Sequence, residues 1–116
     1  MSEPPRPDAR AALSAERLRA HRLVDDLRAD LASLFAATAD ANGDDEHDPE
    51  GSTIAFERSQ LSVSIDAAQV RLADVDAALQ RVDRATYGIC EQCGSVISAQ
   101  RLAARPAAER CINCAR

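Results

Sequence analysis

Four cysteines are the residues whose type and spacing point to chemistry. Cys90-Glu91-Gln92-Cys93-Gly94 is answered by Cys111-Ile112-Asn113-Cys114, giving C-x2-C-x17-C-x2-C. That spacing reads as a four-thiolate zinc site. Two residues between cysteines let both sulfurs of a turn reach one metal at about 2.3 Å, and two such turns close a tetrahedron. Gly94 supplies the permissive backbone that such a turn wants. With no open ligand position implied, the expectation is one structural zinc ion held by Cys90, Cys93, Cys111 and Cys114.

Two other uses of the cysteines are weaker. Disulfides need an oxidising compartment. The opening Met1-Ser2-Glu3-Pro4-Pro5-Arg6-Pro7 has neither a basic n-region nor an apolar h-region, so a cytoplasmic setting is expected. A redox C-x-x-C belongs beside a βαβ pattern, and no strand-rich segment stands near these turns. Arg101, Arg105, Arg110 and Arg116 lie close enough in sequence to offset the charge of a tetrathiolate zinc, although each one singly reads as a solvated surface arginine.

The elements that must position this site are helical. In 116 residues there are two Phe, one Tyr and no Trp, so a large globular core is excluded. Residues 1–7 hold three prolines and read as a disordered tail. Asp8 or Ser14 can cap a helix that runs without Gly or Pro to Asp40. Within it Ala20, Val24, Leu27, Leu31 and Leu34 alternate by four and three, the period of a coiled-coil seam. Arg17 interrupts the series, while Leu18 and Leu23 lie beside it.

Gly43, Pro49 and Gly51 place a turn over residues 41–52. Ser52 or Thr53 then caps a second helix, along which Leu61, Ile65, Ala68, Leu72, Val75, Leu79 and Val82 keep the same alternation. Two matched rods, each about 48 Å long at 1.5 Å per residue, are expected to bury their seams against each other. The fold class is therefore all-α dominated: a long antiparallel coiled-coil hairpin over 8–84 and a small C4 zinc-finger module over 85–116. The expected layers pair Leu31 with Leu61 and Leu27 with Ile65. Arg58 falls on the seam near the turn, where its head is expected to reach water or a loop carboxylate. Val96, Ile97 and Leu102 are expected to pack the module onto the hairpin base, with Ser98 capping a short helix through Ala104.

Charge is unevenly spread. Asp40, Asp44, Asp45, Glu46, Asp48 and Glu50 crowd the turn with no base among them, whereas the formal net charge of the whole chain is −5. A solvated acidic turn is the plain reading. A calcium loop is disfavoured because Asp45 and Gly51 stand where Gly and Glu are needed. All fourteen basic residues are arginine, and the negative balance argues against non-specific nucleic-acid binding. No apolar run approaches a membrane span. His21 and His47 have no partnered nucleophile, so no enzyme is expected.

The finger residues carry a family likeness. Tyr87-Gly88-Ile89-Cys90-Glu91-Gln92-Cys93-Gly94, Ile97, Arg101-Leu102-Ala103-Ala104-Arg105-Pro106 and Cys111-Ile112-Asn113-Cys114 resemble the DksA/TraR C4-type zinc-finger proteins. The hairpin with its acidic tip resembles that family in pattern. The hairpin, closed within one chain, is expected to be monomeric; the resemblance implies a bacterial transcription regulator that binds RNA polymerase rather than promoter DNA. It implies that the hairpin enters the secondary channel and that tip acids, here Asp48 with Asp44, Asp45, Glu46 and Glu50, approach the catalytic centre. Asp48-Pro49 matches the family tip, but Gly51 and Thr53 depart from it. For ppGpp, Asp74 and Ala115 stand where responsive members tend to be basic, leaving Arg105 as the matched candidate contact. Longer members also continue into a helix beyond position 116. A reading from another class is a zinc-stapled adaptor for a different protein.

Overall fold

A computed structural model describes residues 7–41 and 49–115, with side chains described over 9–37 and 53–115. Helix α1 spans Pro7–Ala41, α2 spans Pro49–Asp83 and α3 spans Ala99–Ala104. Among the described residues the one extended pairing is an antiparallel bridge between Ile89 and Val96. The fold is the expected helical hairpin followed by a small cysteine module.

Both long helices begin earlier than their expected caps. Asp8 and Ser14 lie inside α1, and Ser52 and Thr53 lie inside α2. The expected 41–52 turn is shortened accordingly, since Ala41 and residues 49–52 are helical. The physical reason is that proline is tolerated in a first turn, where its missing N–H is not needed and its φ is already helical. Pro7 and Pro49 therefore start helices here instead of stopping them. Residues 1–6 and 42–48, hence most of the expected tail and the acids Asp44, Asp45, Glu46 and Asp48, lie outside the described residues.

The chain divides into two compact units, residues 20–70 and residues 1–19 with 71–116. In the first, Ala20, Val24, Ile65 and Ala68 are buried, and Leu27, Leu31, Leu34 and Leu61 are half-buried. These are the predicted seam positions. Arg58 is exposed to water, as expected, and stacks over the Phe35 ring at 4.3 Å. A cation over an aromatic face gains electrostatic attraction without leaving solvent. Phe35 opposite Arg58 is within one position of the register that joins Leu31 to Leu61.

In the second unit the start of α1 packs on the end of α2. Leu13, Val75 and Ala78 form a fully buried cluster, flanked by Leu79, Val82, Tyr87 and Ala107. Arg17 does not end the seam but rides over it, its Nε 2.6 Å from Oδ1 of Asp76. One heptad back, Arg10 meets Asp83. Seven residues forward on one helix match seven backward on the other, as an antiparallel heptad register requires. Leu18 and Leu23, beside the seam, are exposed.

Candidate metal centre

The module is built from two cysteine turns and the short helix between them. The chain leaves α2 after Asp83 through Ala85, at φ +61; Gly88, at φ +85, then leads into the first cysteine turn, and its carbonyl accepts a 2.7 Å bond from the Ile97 N–H. Ile97 is buried and Leu102 half-buried, whereas Val96 is exposed and does not pack as expected. Val96 pairs through its backbone with Ile89, which turns its side chain to solvent. The packing it was expected to supply comes from Tyr87 and Ala107. The Tyr87 hydroxyl donates to the Pro106 carbonyl at 2.8 Å, and Arg81 Nη2 donates to the Ala107 carbonyl at 3.3 Å. Burial raises the Tyr87 phenol above its ordinary range, with the Arg81 charge opposing, so the hydroxyl keeps its proton to donate.

Each turn closes through its own backbone. In the first, Cys90 N–H bonds the Ser95 carbonyl at 2.8 Å and Gly94 N–H bonds the Cys90 carbonyl at 2.9 Å, with Gly94 at φ +76. A side chain at that φ would be strained, which is why a glycine follows the second sulfur. In the second, the N–H groups of Cys114 and Ala115 both bond the Cys111 carbonyl, at 3.1 and 3.0 Å.

Ser98 caps α3 as its sequence predicts, accepting from the Arg101 N–H at 3.1 Å. Three links then bring the turns together. Glu91 N–H bonds the Glu109 carbonyl at 2.9 Å, Arg110 Nε meets Glu91 Oε1 at 3.2 Å, and Arg101 Nε bonds the Arg110 carbonyl at 2.9 Å. Two of the arginines expected to be solvated are thus tied to defined partners. No motif rule signals that pairing, because the acceptor in one case is a backbone carbonyl.

The four sulfurs of Cys90, Cys93, Cys111 and Cys114 all lie within 4.8 Å of one another. Cys90 is buried, Cys93 exposed, and the other two are half-buried. Cys93 and Cys111 sulfurs are 3.7 Å apart, far beyond the disulfide length of about 2.05 Å. Metal–sulfur bonds of about 2.3 Å at tetrahedral angles put sulfurs about 3.8 Å apart, so this separation fits a zinc tetrahedron.

The proton chemistry of the donor set agrees. Amides of Cys111 and then Cys93 lower the Cys90 thiol to about 6, against the effect of burial. The Ser95 hydroxyl and amide lower Cys93. The neighbouring Cys111 and Cys93 sulfurs push Cys114 up to about 12, because negative charge added beside other sulfurs is disfavoured without a compensating cation. A single divalent zinc ion answers that need, and Cys90, Cys93, Cys111 and Cys114 would hold it.

Residues 85–116 match the family model of the prokaryotic dksA/traR C4-type zinc finger. Over these residues the chain is similar to the finger of the DksA/TraR proteins. It is 30% identical over 69 residues to the RNA polymerase-binding transcription factor DksA of Haemophilus influenzae, a match covering 57% of this chain and 48% of that protein. An uncharacterized protein of Aquifex aeolicus is 46% identical over 44 residues, covering 38% of this chain and 30% of its own. These matches take in less than half the length of either relative. The likeness in fold reaches further: transcription factor DksA2 from Pseudomonas aeruginosa superposes with a TM-score of 0.55 at 25% identity, over 90% of this chain and 81% of that one. Both hairpin and finger therefore have counterparts in a solved DksA-type structure.

Proposed function

We propose that this chain is a bacterial transcription regulator that binds RNA polymerase and is not an enzyme. The observation that carries the reading is that its likeness to a DksA-type transcription factor runs over 90% of the chain, hairpin and finger together. A zinc finger alone serves many unrelated partners, and fold alone does not set function. A finger of this family joined to an antiparallel helical hairpin is a narrower description.

In this reading the hairpin enters the secondary channel of the polymerase and presents its tip to the catalytic centre. Asp48 leads there, with Asp44, Asp45, Glu46 and Glu50 adding charge. Zinc, held by Cys90, Cys93, Cys111 and Cys114, staples the module at the hairpin base. Arg105, exposed just after α3, is the residue open to a ppGpp contact. The protein acts in the cytoplasm as a monomer. It makes no sequence-specific contact with DNA, in keeping with its net charge of −5.

The test is capture of purified core RNA polymerase by the purified chain, followed by competition with an unrelated factor that occupies the secondary channel. Binding that the competitor abolishes supports the reading. Binding that ignores the competitor removes the channel from it. No binding at all returns the chain to the adaptor class, with some other protein as partner.

A further inference from the structure

The peptide that joins Arg110 to Cys111 is held from α3. Its carbonyl accepts the 2.9 Å bond from Arg101 Nε, and Arg101 is half-buried on α3. Its N–H is that of Cys111, whose sulfur lies within 4.8 Å of the other three. Because a peptide unit is planar, with carbonyl and N–H on opposite sides, fixing the carbonyl aims the N–H. A guanidinium is always charged and its donors are rigidly placed, so its bond to a carbonyl polarises the peptide and strengthens the donor on the far side.

The other links to this segment are less directive. Arg110 and Glu91 are 48% and 44% exposed, and ion pairs so open to water contribute little. The Glu91–Glu109 backbone bond acts one peptide earlier. Arg101, by contrast, has its own backbone anchored at both groups: its N–H bonds the Ser98 cap and its carbonyl accepts from the Arg105 N–H at 2.7 Å.

We propose that Arg101 is a positioning residue for the metal centre: from α3 it clamps the Arg110–Cys111 peptide, so that Cys111 enters the cluster in register with its N–H held in one direction. The proposal rests on the zinc reading given above. Groups that orient metal ligands from behind typically change metal affinity by about 10- to 100-fold when removed.

The test uses the zinc-loaded full chain and follows zinc transfer to an excess of chromogenic chelator. Cobalt substitution adds the sulfur-to-metal charge-transfer band, which reports hydrogen bonding to the thiolates. Arg101→Met, which keeps the stem but has no donor, is expected to release zinc about tenfold faster and to shift the cobalt band. Arg101→Lys restores a charged donor and is expected to fall within about threefold of the parent chain, with the parent spectrum. Arg105→Met, which removes a like charge just beyond the same helix, is expected to change neither. If Arg101→Met is too unstable to hold metal, Arg101→Lys decides alone: retention of zinc with the parent spectrum supports the clamp, and loss of zinc overturns it. Parent-like release from Arg101→Met, or equal acceleration by Arg105→Met, also overturns it. A parent chain that binds no zinc would refute the metal reading itself, which is a separate outcome.

Discussion

At the residue scale the cysteines were legible because metal ligation leaves a numerical trace in the sequence: two C-x2-C turns need no knowledge of the fold to be joined. Their neighbours were not legible, because the acceptors of Arg101 and Tyr87 are the carbonyls of Arg110 and Pro106, which every residue carries. Cys93 is exposed, so Cys93→Ser removes a ligand without opening a cavity in the core. The substitution should bring zinc content, measured by mass spectrometry, from one per chain to nearly none. The finger should melt while far-UV circular dichroism retains much of the helical signal, since the seam does not use that sulfur. Full metal content would remove Cys93 from the ligand set. Tyr87 offers a milder test of how the module is attached. Tyr87→Phe keeps the ring against Leu13 and Val75 but deletes the bond to Pro106, and should cost about 1 kcal/mol in urea unfolding.

At the scale of elements, the seam was readable from the four-three alternation, and every predicted seam leucine, isoleucine and valine is buried or half-buried. The reading stopped short at Arg17 because a charged residue in a seam position resembles an end. The chain instead carries the seam on to Leu13, four residues earlier, and lets Arg17 pair with Asp76 above it. Helix starts were misplaced for a similar reason: Pro49 and Gly51 look like breakers unless the proline falls in a first turn. The two kinds of contact at this end differ greatly in worth. Leu13→Ala removes a side chain with no exposed surface and should destabilise by about 2–5 kcal/mol. Asp76→Ala breaks an ion pair whose side chains are 43% and 45% exposed, and should cost less than about 1 kcal/mol. Denaturant melts of the two variants give the comparison. Equal losses would mean that the ion pairs, not the apolar cluster, hold the start of α1 in place.

At the scale of the whole molecule the question is what a helical hairpin with a zinc-stapled base is for, and the charge distribution bears on it. The acids from Asp40 to Glu50 outnumber the chain's net charge of −5, so the remainder is close to neutral. A charge gathered in one short segment suits a part that acts, whereas long neutral flanks suit a part that binds. If the proposed function is right, these two roles separate under mutation. Asp48 is the acid of the turn that precedes a proline, and Pro49 restricts the backbone on which that carboxylate is presented. A carboxylate there would meet the metal and the basic groups that handle nucleotide phosphates, where one charge changes the chemistry more than it changes affinity. Asp48→Asn should therefore leave zinc content and polymerase affinity within about twofold, a shift of less than 0.5 kcal/mol. It should still remove most of the effect on initiation in a purified transcription assay. Asp44→Asn and Asp45→Asn should each do less, because either acid is flanked by others that preserve the local field. Were Asp48→Asn to regulate like the parent chain, or to fail only because it no longer binds, the turn would be a solvated acidic loop and the action would have to be sought along the flanks of the hairpin.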